Sequence, residues 1–213
     1  MTVSPRACLV DVYDTLLTCE FPAIWRERAE RTGIAPETWN NAFGRVAPTL
    51  GVGQMTLAEA FEVTLRTCRV TPSAELVGKL VTADHDLLLA TGRLYPDALP
   101  FLELLRSRGI AIVVVSNCGE HTRPLLTKLG VAAIADALVL SCEVGCIKPS
   151  PRIFRHALDQ AGVPGPDALF VDDQAAFCAG AEMTGLRAVQ IVRAGDLPPG
   201  GVRSLLDLEP LLG

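Results

Sequence analysis

Asp11 stands in the run LVDVYDTLL, directly behind a short apolar stretch, so its carboxylate should emerge where a strand gives way to a loop. Taken alone, such an aspartate is an ordinary turn or cap residue. Ser116 and Asn117 close the run VVVSN and put a hydroxyl and an amide at a second strand end. A helix starting there would add backbone N–H donors for an anion; the plainer reading is an N-cap. Lys148 lies in EVGCIKPSPRIF, ahead of a Pro-Ser-Pro entry into a helix that holds the chain stiffly where the side chain begins. By itself it is a solvated loop lysine. Asp172 and Asp173 end a third apolar run, LFVDD, and two adjacent acids at a sheet edge are hard to read as surface decoration.

The combination says more than its members. If Asp11 converges with Asp172 and Asp173, each carboxylate pair about 4 Å apart repels by roughly 4 kcal/mol at an effective dielectric near 20. Such a cluster needs a cation. Hard oxygen ligands point to magnesium over zinc or copper. Lys148 and that ion would then frame a phosphoryl group, the electrostatic stabilisation its transfer requires.

To bring these residues together the chain needs strands that end at one edge. Four short Val/Ile/Leu-rich runs are expected as strands: Ala7 to Val12, Ala111 to Val115, Ala168 to Val171 and Ala188 to Val192. Helical patterns follow at Tyr95 to Ser107, Glu120 to Leu129, Pro151 to Ala161 and Gln174 to Thr184, with Gly109, Gly130, Gly162 and Gly185 placed as their C-terminal stops. Alternation of this kind predicts an α/β fold, a Rossmann-like parallel sheet covered on both faces, with its ligand site beyond the carboxyl ends of the strands. From about Glu20 to Gly92 the alternation is interrupted by helical patterns alone (Phe21 to Thr32, Pro36 to Ala47, Thr56 to Arg69, Ser73 to Leu89). We read this stretch as an all-helical lid that excludes water and selects the substrate. The expected organisation is a core of residues 1–18 and 93–213 and a helical cap of residues 19–92.

Composition narrows the partners. The 213 residues are 49% hydrophobic and carry a formal charge of −5 without any Lys/Arg block, which argues against nucleic acid or an anionic membrane and for a small soluble ligand. Seven scattered cysteines at 8, 19, 68, 118, 142, 146 and 178 read as reduced thiols of an intracellular protein, not as a disulfide framework or a zinc site. The first apolar run is too short to span a bilayer and is not laid out as a signal peptide, so a cytoplasmic location is expected, as a monomer or homodimer. Trp25, Trp39 and Phe43 read as cap core or cap-to-core packing. His121 could approach the site but is not assigned a catalytic part, His85 and His156 need none, and Glu143 reads as support for the lysine loop.

In order and spacing, DVYDTLL, VVVSN, EVGCIKPSPRIF and FVDD resemble the four motifs of the haloacid dehalogenase (HAD) superfamily, and together they run from Asp11 to Asp173. The helical stretch after the first motif is similar to the family's small C1 cap. The resemblance implies a hydrolase, with Asp11 as covalent nucleophile and magnesium held by Asp11, the backbone carbonyl of Tyr13 and Asp173, assisted by Asp172. It further implies that Thr15, Ser116, Asn117 and Lys148 bind the phosphate and orient the nucleophile. An aspartyl-phosphate intermediate on a small phosphomonoester follows, as aspartate is an accepted phosphoryl carrier.

One position departs from the phosphatase pattern. Two residues after the nucleophile, typical members carry a second aspartate as general acid and base; here it is Tyr13. Tyrosine, with a reference pKa near 10, is a poor base, and general acid–base help is worth about 10² to 10⁴ in rate. The expectation is a slow phosphatase or one limited to good leaving groups, with Asp14 as the nearby carboxylate that could substitute. Tyrosine there also resembles the metal-independent 2-haloacid dehalogenases. Those enzymes replace the acidic pair by small neutral residues and carry another aspartate where this chain has Phe177, and their early-cap arginine has no clear match among Arg26, Arg28, Arg31 and Arg45. A third alternative is a catalytically weak binding protein on the same fold.

Overall fold

The structure, a computed structural model, describes residues 4–213; residues 1–3 of the expected core lie outside the described residues. In chain order the elements are β1 (Ala7–Val10), β2 (Leu17–Thr18), α1 (Phe21–Thr32), α2 (Pro36–Phe43), α3 (Ala47–Gly51), α4 (Leu57–Thr67), α5 (Ala74–Thr91), β3 (Arg93–Leu94), α6 (Ala98–Ser107), β4 (Ala111–Ser116), α7 (Thr122–Lys128), α8 (Val131–Ile134), β5 (Ala137–Leu140), α9 (Ser141–Val144), α10 (Pro151–Ala161), β6 (Ala168–Asp172), α11 (Ala175–Glu182) and β7 (Arg187–Gln190), followed by a 3-10 helix at Leu205–Leu211.

The five long-range strands form one parallel sheet in the order β5-β4-β1-β6-β7. Their period-two alternation divides the core. Cys8, Val10, Ile112, Val114, Leu169 and Val171 face one layer, while Ala7, Leu9, Val113, Val115, Ala168 and Phe170 face the other. Burial on both faces is why these strands read as unbroken apolar runs. A strand absent from the sequence reading is β5: Ala137–Leu140 is only four residues long and its first half is only partly buried, so it lacks a long apolar signal. Several boundaries shift: β7 runs Arg187–Gln190 instead of Ala188 to Val192, and α6 begins at Ala98 instead of Tyr95. β1 stops at Val10, although Val12 stays in the core, and the helix expected from Glu120 begins only at Thr122, leaving a loop between Asn117 and the helix. The stops hold: Gly109, Gly130, Gly162 and Gly185 all have positive φ.

Between β2 and β3 lie only helices, as expected, and the two short strands pair antiparallel (Leu17 with Leu94, Thr18 with Arg93), tying the ends of the helical segment together. The segment has a hydrophobic cluster of its own: Trp39, Phe61, Leu57, Leu65, Val77 and Leu80. Its helix starts are well specified. Thr56 and Glu59 form a reciprocal capping box at α4, and the Ser73 hydroxyl accepts from the Leu76 N–H at α5. The expected helix from Pro36 to Ala47 divides into α2 and α3 around Gly44–Val46. Among the described residues no helix is long and apolar enough to cross a membrane.

Candidate active site

Register decides what meets what at the carboxyl edge of the sheet. β1 lies between β4 and β6, so the residues just beyond its end, led by Asp11, fall between Ser116 and Asp172. Asp11 is tied to β6 through its N–H, which donates to the Val171 carbonyl at 3.0 Å. One carboxylate oxygen from each of Asp11, Asp172 and Asp173 lies within 4.8 Å of the others. Lys148 completes the cluster, its ammonium donating to Asp11 and to Asp172 at 2.5 Å each. Residues separated by most of the chain thus meet as the motifs predict.

Burial makes this a high-stakes arrangement. Lys148 is 2% exposed, Asp11 5% and Asp172 0%, and buried charges persist only when paired or bound to a cation. Burial, then the neighbouring Asp11 charge, pushes the Asp172 carboxyl up, while Lys148 pulls it back. For Lys148 burial works downward, but the Asp11 and Asp172 charges overcome it and hold the ammonium above its ordinary value. Burial and the charges of Asp11 and Asp14 raise Asp173 as well. Both oxygens of Asp172 are engaged, Oδ2 by Lys148 and Oδ1 by the Gln174 N–H at 2.8 Å. That suits an anchor for the lysine and an assisting part in any metal site.

The all-carboxylate donor set fits a hard divalent cation such as magnesium. In the turn after β1, the Val12 and Leu17 carbonyls accept the backbone bonds, and no backbone N–H among the described residues donates to the carbonyl of Tyr13, so that oxygen is available as well. Two hydroxyls fit a phosphoryl group. Thr15 Oγ1 and Ser116 Oγ are both buried without a protein partner, and a buried polar group left unsatisfied costs about 1–3 kcal/mol unless a ligand serves it.

Asn117 lies at the end of β4 against the lysine loop. Its side-chain amide donates to the Lys148 carbonyl at 2.9 Å and accepts from the Lys148 N–H at 2.7 Å, the geometry of a residue that positions the lysine. Tyr13 turns away from the cluster: its hydroxyl pairs with Thr122 Oγ1 at 2.9 Å and its ring packs 5.9 Å from that of Phe21. Burial pushes the phenol up, further from use as a base. Asp14 is held at φ 55°, and partial burial and then Asp11 raise its carboxyl. Phe177 lies 5.0 Å from the Lys148 ammonium, giving it an aromatic face.

Sequence reasoning missed three supports. Gln190, paired in register with Asp172, donates to the Asp173 carbonyl at 2.8 Å. Arg193, stacked 4.1 Å from the Tyr95 ring, donates to Asp97 at 2.7 Å and to the Thr15 carbonyl. Gly180 lets α11 approach closely, since a Cβ there would sit 2.6 Å from Pro149 Cβ. No local pattern marks these contacts; only strand order and packing reveal them. A cavity of about 760 Å³ beside Arg123 and Glu143 is lined by none of the clustered groups, and Glu143 there pairs with Arg123 at 2.6 Å.

A doubly covered parallel sheet with its charged groups gathered at the carboxyl edge places the chain among α/β proteins whose site lies beyond the strand ends. The family model for haloacid dehalogenase-like hydrolases matches residues 5–183, and the chain belongs to that family. Phosphatase MT3486 of Mycobacterium tuberculosis (strain CDC 1551 / Oshkosh) is 34% identical over 136 residues, covering 63% of this chain and 61% of that protein. The chain thus spans about three fifths of the length of that relative. An (S)-2-haloacid dehalogenase 4A of Burkholderia cepacia is 29% identical over 231 residues, covering 100% of this chain and 96% of that protein. Among solved structures, a HAD phosphatase from Thermococcus onnurineus superposes with a TM-score of 0.71 at 25% identity, covering 98% of each chain.

Proposed function

We propose that the protein is a magnesium-dependent phosphatase acting on a small phosphomonoester through an aspartyl-phosphate at Asp11. The observation that carries this reading is the gathering of Asp11, Asp172 and Asp173 within 4.8 Å beside a buried lysine. An acidic trio has no use in a reaction that needs no cation. In this reading residues 1–18 with 93–213 form the catalytic core and residues 19–92 its cap, and the protein works in the cytoplasm, as a monomer or homodimer.

Asp11 attacks phosphorus, a P–O bond forms to its carboxylate, and the bond to the leaving alcohol breaks. Lys148 orients Asp11 and offsets the charge gathering on the phosphoryl oxygens, which Thr15 and Ser116 receive through their otherwise unserved hydroxyls. Magnesium, when held by Asp11, Asp173 and the Tyr13 carbonyl with Asp172 assisting, supplies the balancing positive charge. Water then attacks the aspartyl-phosphate, releasing phosphate and restoring Asp11. Because Tyr13 is bonded to Thr122, the leaving oxygen takes its proton from solvent or from Asp14, so turnover falls steeply as the leaving group becomes more basic.

The test is phosphate release from p-nitrophenyl phosphate with magnesium and with EDTA, alongside Asp11→Asn. Loss of turnover in EDTA and a drop of at least about 10³ in the variant are expected; EDTA-insensitive release would overturn the metal requirement. A second reading, a metal-independent 2-haloacid dehalogenase, draws on Tyr13 and on the full-length similarity to the Burkholderia enzyme. It requires chloride release from 2-chloropropionate in EDTA.

A further inference from the structure

A second cavity of about 280 Å³ opens between the helical segment and the loop that follows β4. Leu50 and Gly119 line both this cavity and a neighbouring one of about 330 Å³ that reaches Asn117, the residue that holds Lys148. The space is thus linked, through that neighbouring cavity, to Asn117 at the carboxyl edge of the sheet. Phe21, Trp25 and Phe43 give it aromatic walls, and Trp25 keeps 39% of its surface exposed instead of joining the cluster around Trp39.

The ionisable groups lining this space are Arg28, Asp84 and His121. Arg28 offers the one permanent positive charge, and that charge is already spent. Its Nε and Nη2 donate to the two oxygens of Asp84 at 2.8 and 2.9 Å in a fork-to-carboxylate pair. The guanidinium is further held 5.3 to 5.7 Å from the ring centroids of Trp39, Phe43 and Phe61, so turning it toward a ligand would break both the pair and the stacking. Burial, followed by the nearby His85 and Arg28, lowers His121 to about 4, which leaves a neutral imidazole. Asn40 adds an uncharged amide to the lining. At neutral pH the pocket has no net charge.

Resting on the phosphatase reading above, we propose that the pocket seats the leaving alcohol of the substrate as an uncharged, largely apolar group, and that Asp84, by neutralising Arg28, is the specificity-determining residue that excludes carboxylate-bearing esters. A ligand carboxylate would have to compete with Asp84 for the same fork or remain without a cationic partner among the aromatic walls. An apolar or aromatic alcohol with one hydrogen-bonding group finds ring faces, Asn40 and His121.

The test compares matched esters on the whole protein with magnesium: phenyl phosphate against 4-carboxyphenyl phosphate, and ethyl phosphate against phosphoglycolate. The neutral member of each pair is expected to have the higher kcat/KM by at least about tenfold. Asp84→Asn, which frees the guanidinium, is expected to narrow or reverse that ratio. Replacing both partners with leucine (R28L with D84L) keeps the pocket uncharged and should retain it. Equal or better use of the carboxylate members by the unaltered protein overturns the proposal while leaving the phosphatase reading intact, and so does an unchanged ratio in folded D84N. Turnover of none of the four esters while p-nitrophenyl phosphate is hydrolysed overturns the proposal alone; inertness of all five overturns both.

Discussion

Lys148 is the residue on which the cluster balances. One ammonium sits 2.5 Å from two carboxylates, and without it Asp11 and Asp172 would share a buried space with no cation from the protein. Replacing one partner of a buried ion pair leaves the other uncompensated, at a cost of about 3–5 kcal/mol. Lys148→Met, measured by urea unfolding in EDTA, should therefore be destabilised by roughly 3 kcal/mol at pH 8. The deficit should shrink by pH 5, because burial already pushes Asp172 up and protonation removes the repulsion. An equal deficit at both pH values would mean that the carboxylates do not depend on this lysine. Turnover is expected to fall with the same substitution, since Asp11 loses the group that orients it.

At the scale of elements, the site depends on how closely α11 packs against the loop carrying Lys148. Gly180, buried in that helix, faces Pro149 with no room for a side chain: an added Cβ would meet the Pro149 carbonyl oxygen at 2.8 Å. Gly180→Ala must therefore shift either α11, which follows Asp172 and Asp173, or the Lys148–Pro149 segment. Helix propensity alone would favour alanine by about 1 kcal/mol, so the expected outcome is opposite in sign to that of a free helix. The variant should lose at least about tenfold in kcat and fall in melting temperature. A stabilised variant of unchanged activity would show that this contact does not position the lysine. The same logic explains Asn117, whose paired hydrogen bonds to the Lys148 peptide carry rigidity from the end of β4 to the lysine loop.

Across the whole molecule, the helical segment and the core meet at ionisable groups that respond to acid. His121, in the loop after β4, packs its ring 5.9 Å from that of His85 in α5, and its Nδ1 is buried without a partner. Its folded value of about 4 lies below the roughly 6.5 of an unfolded histidine. Between those values the unfolded chain holds a proton that the folded chain does not. Stability present above pH 6.5 should thus decline as pH falls and level off below about 4, by at most about 1.4 kcal/mol per pH unit. His121→Gln should flatten that part of the profile in a thermal melt series; an unaltered slope would assign the decline to other groups. At the opposite end of the chain, the C-terminal segment closes the structure. Leu205, Leu208 and Leu212 enter the main core, and Arg193 reaches the Thr15 carbonyl, although the family match ends at residue 183.

Much of this was legible in the residue string because its signals are local. Parallel strands buried on both faces show as apolar runs, helix stops show as glycines that take up positive φ, and four motifs at the ends of their elements announce Asp11, Ser116, Lys148 and the acidic pair. These properties need only a few neighbouring residues, so sequence alone determined the fold class, the helical insertion and the identity of the clustered groups. Tertiary structure alone decided the rest. It added β5, whose four residues carry too little apolar pattern to stand out until β4 pairs with them. It turned Tyr13 toward Thr122, gave Asn117 to the lysine, and neutralised Arg28 with Asp84, 56 residues away. Each of these outcomes is a pairing between residues remote in sequence, and such pairings depend on distances that exist only once the chain has folded.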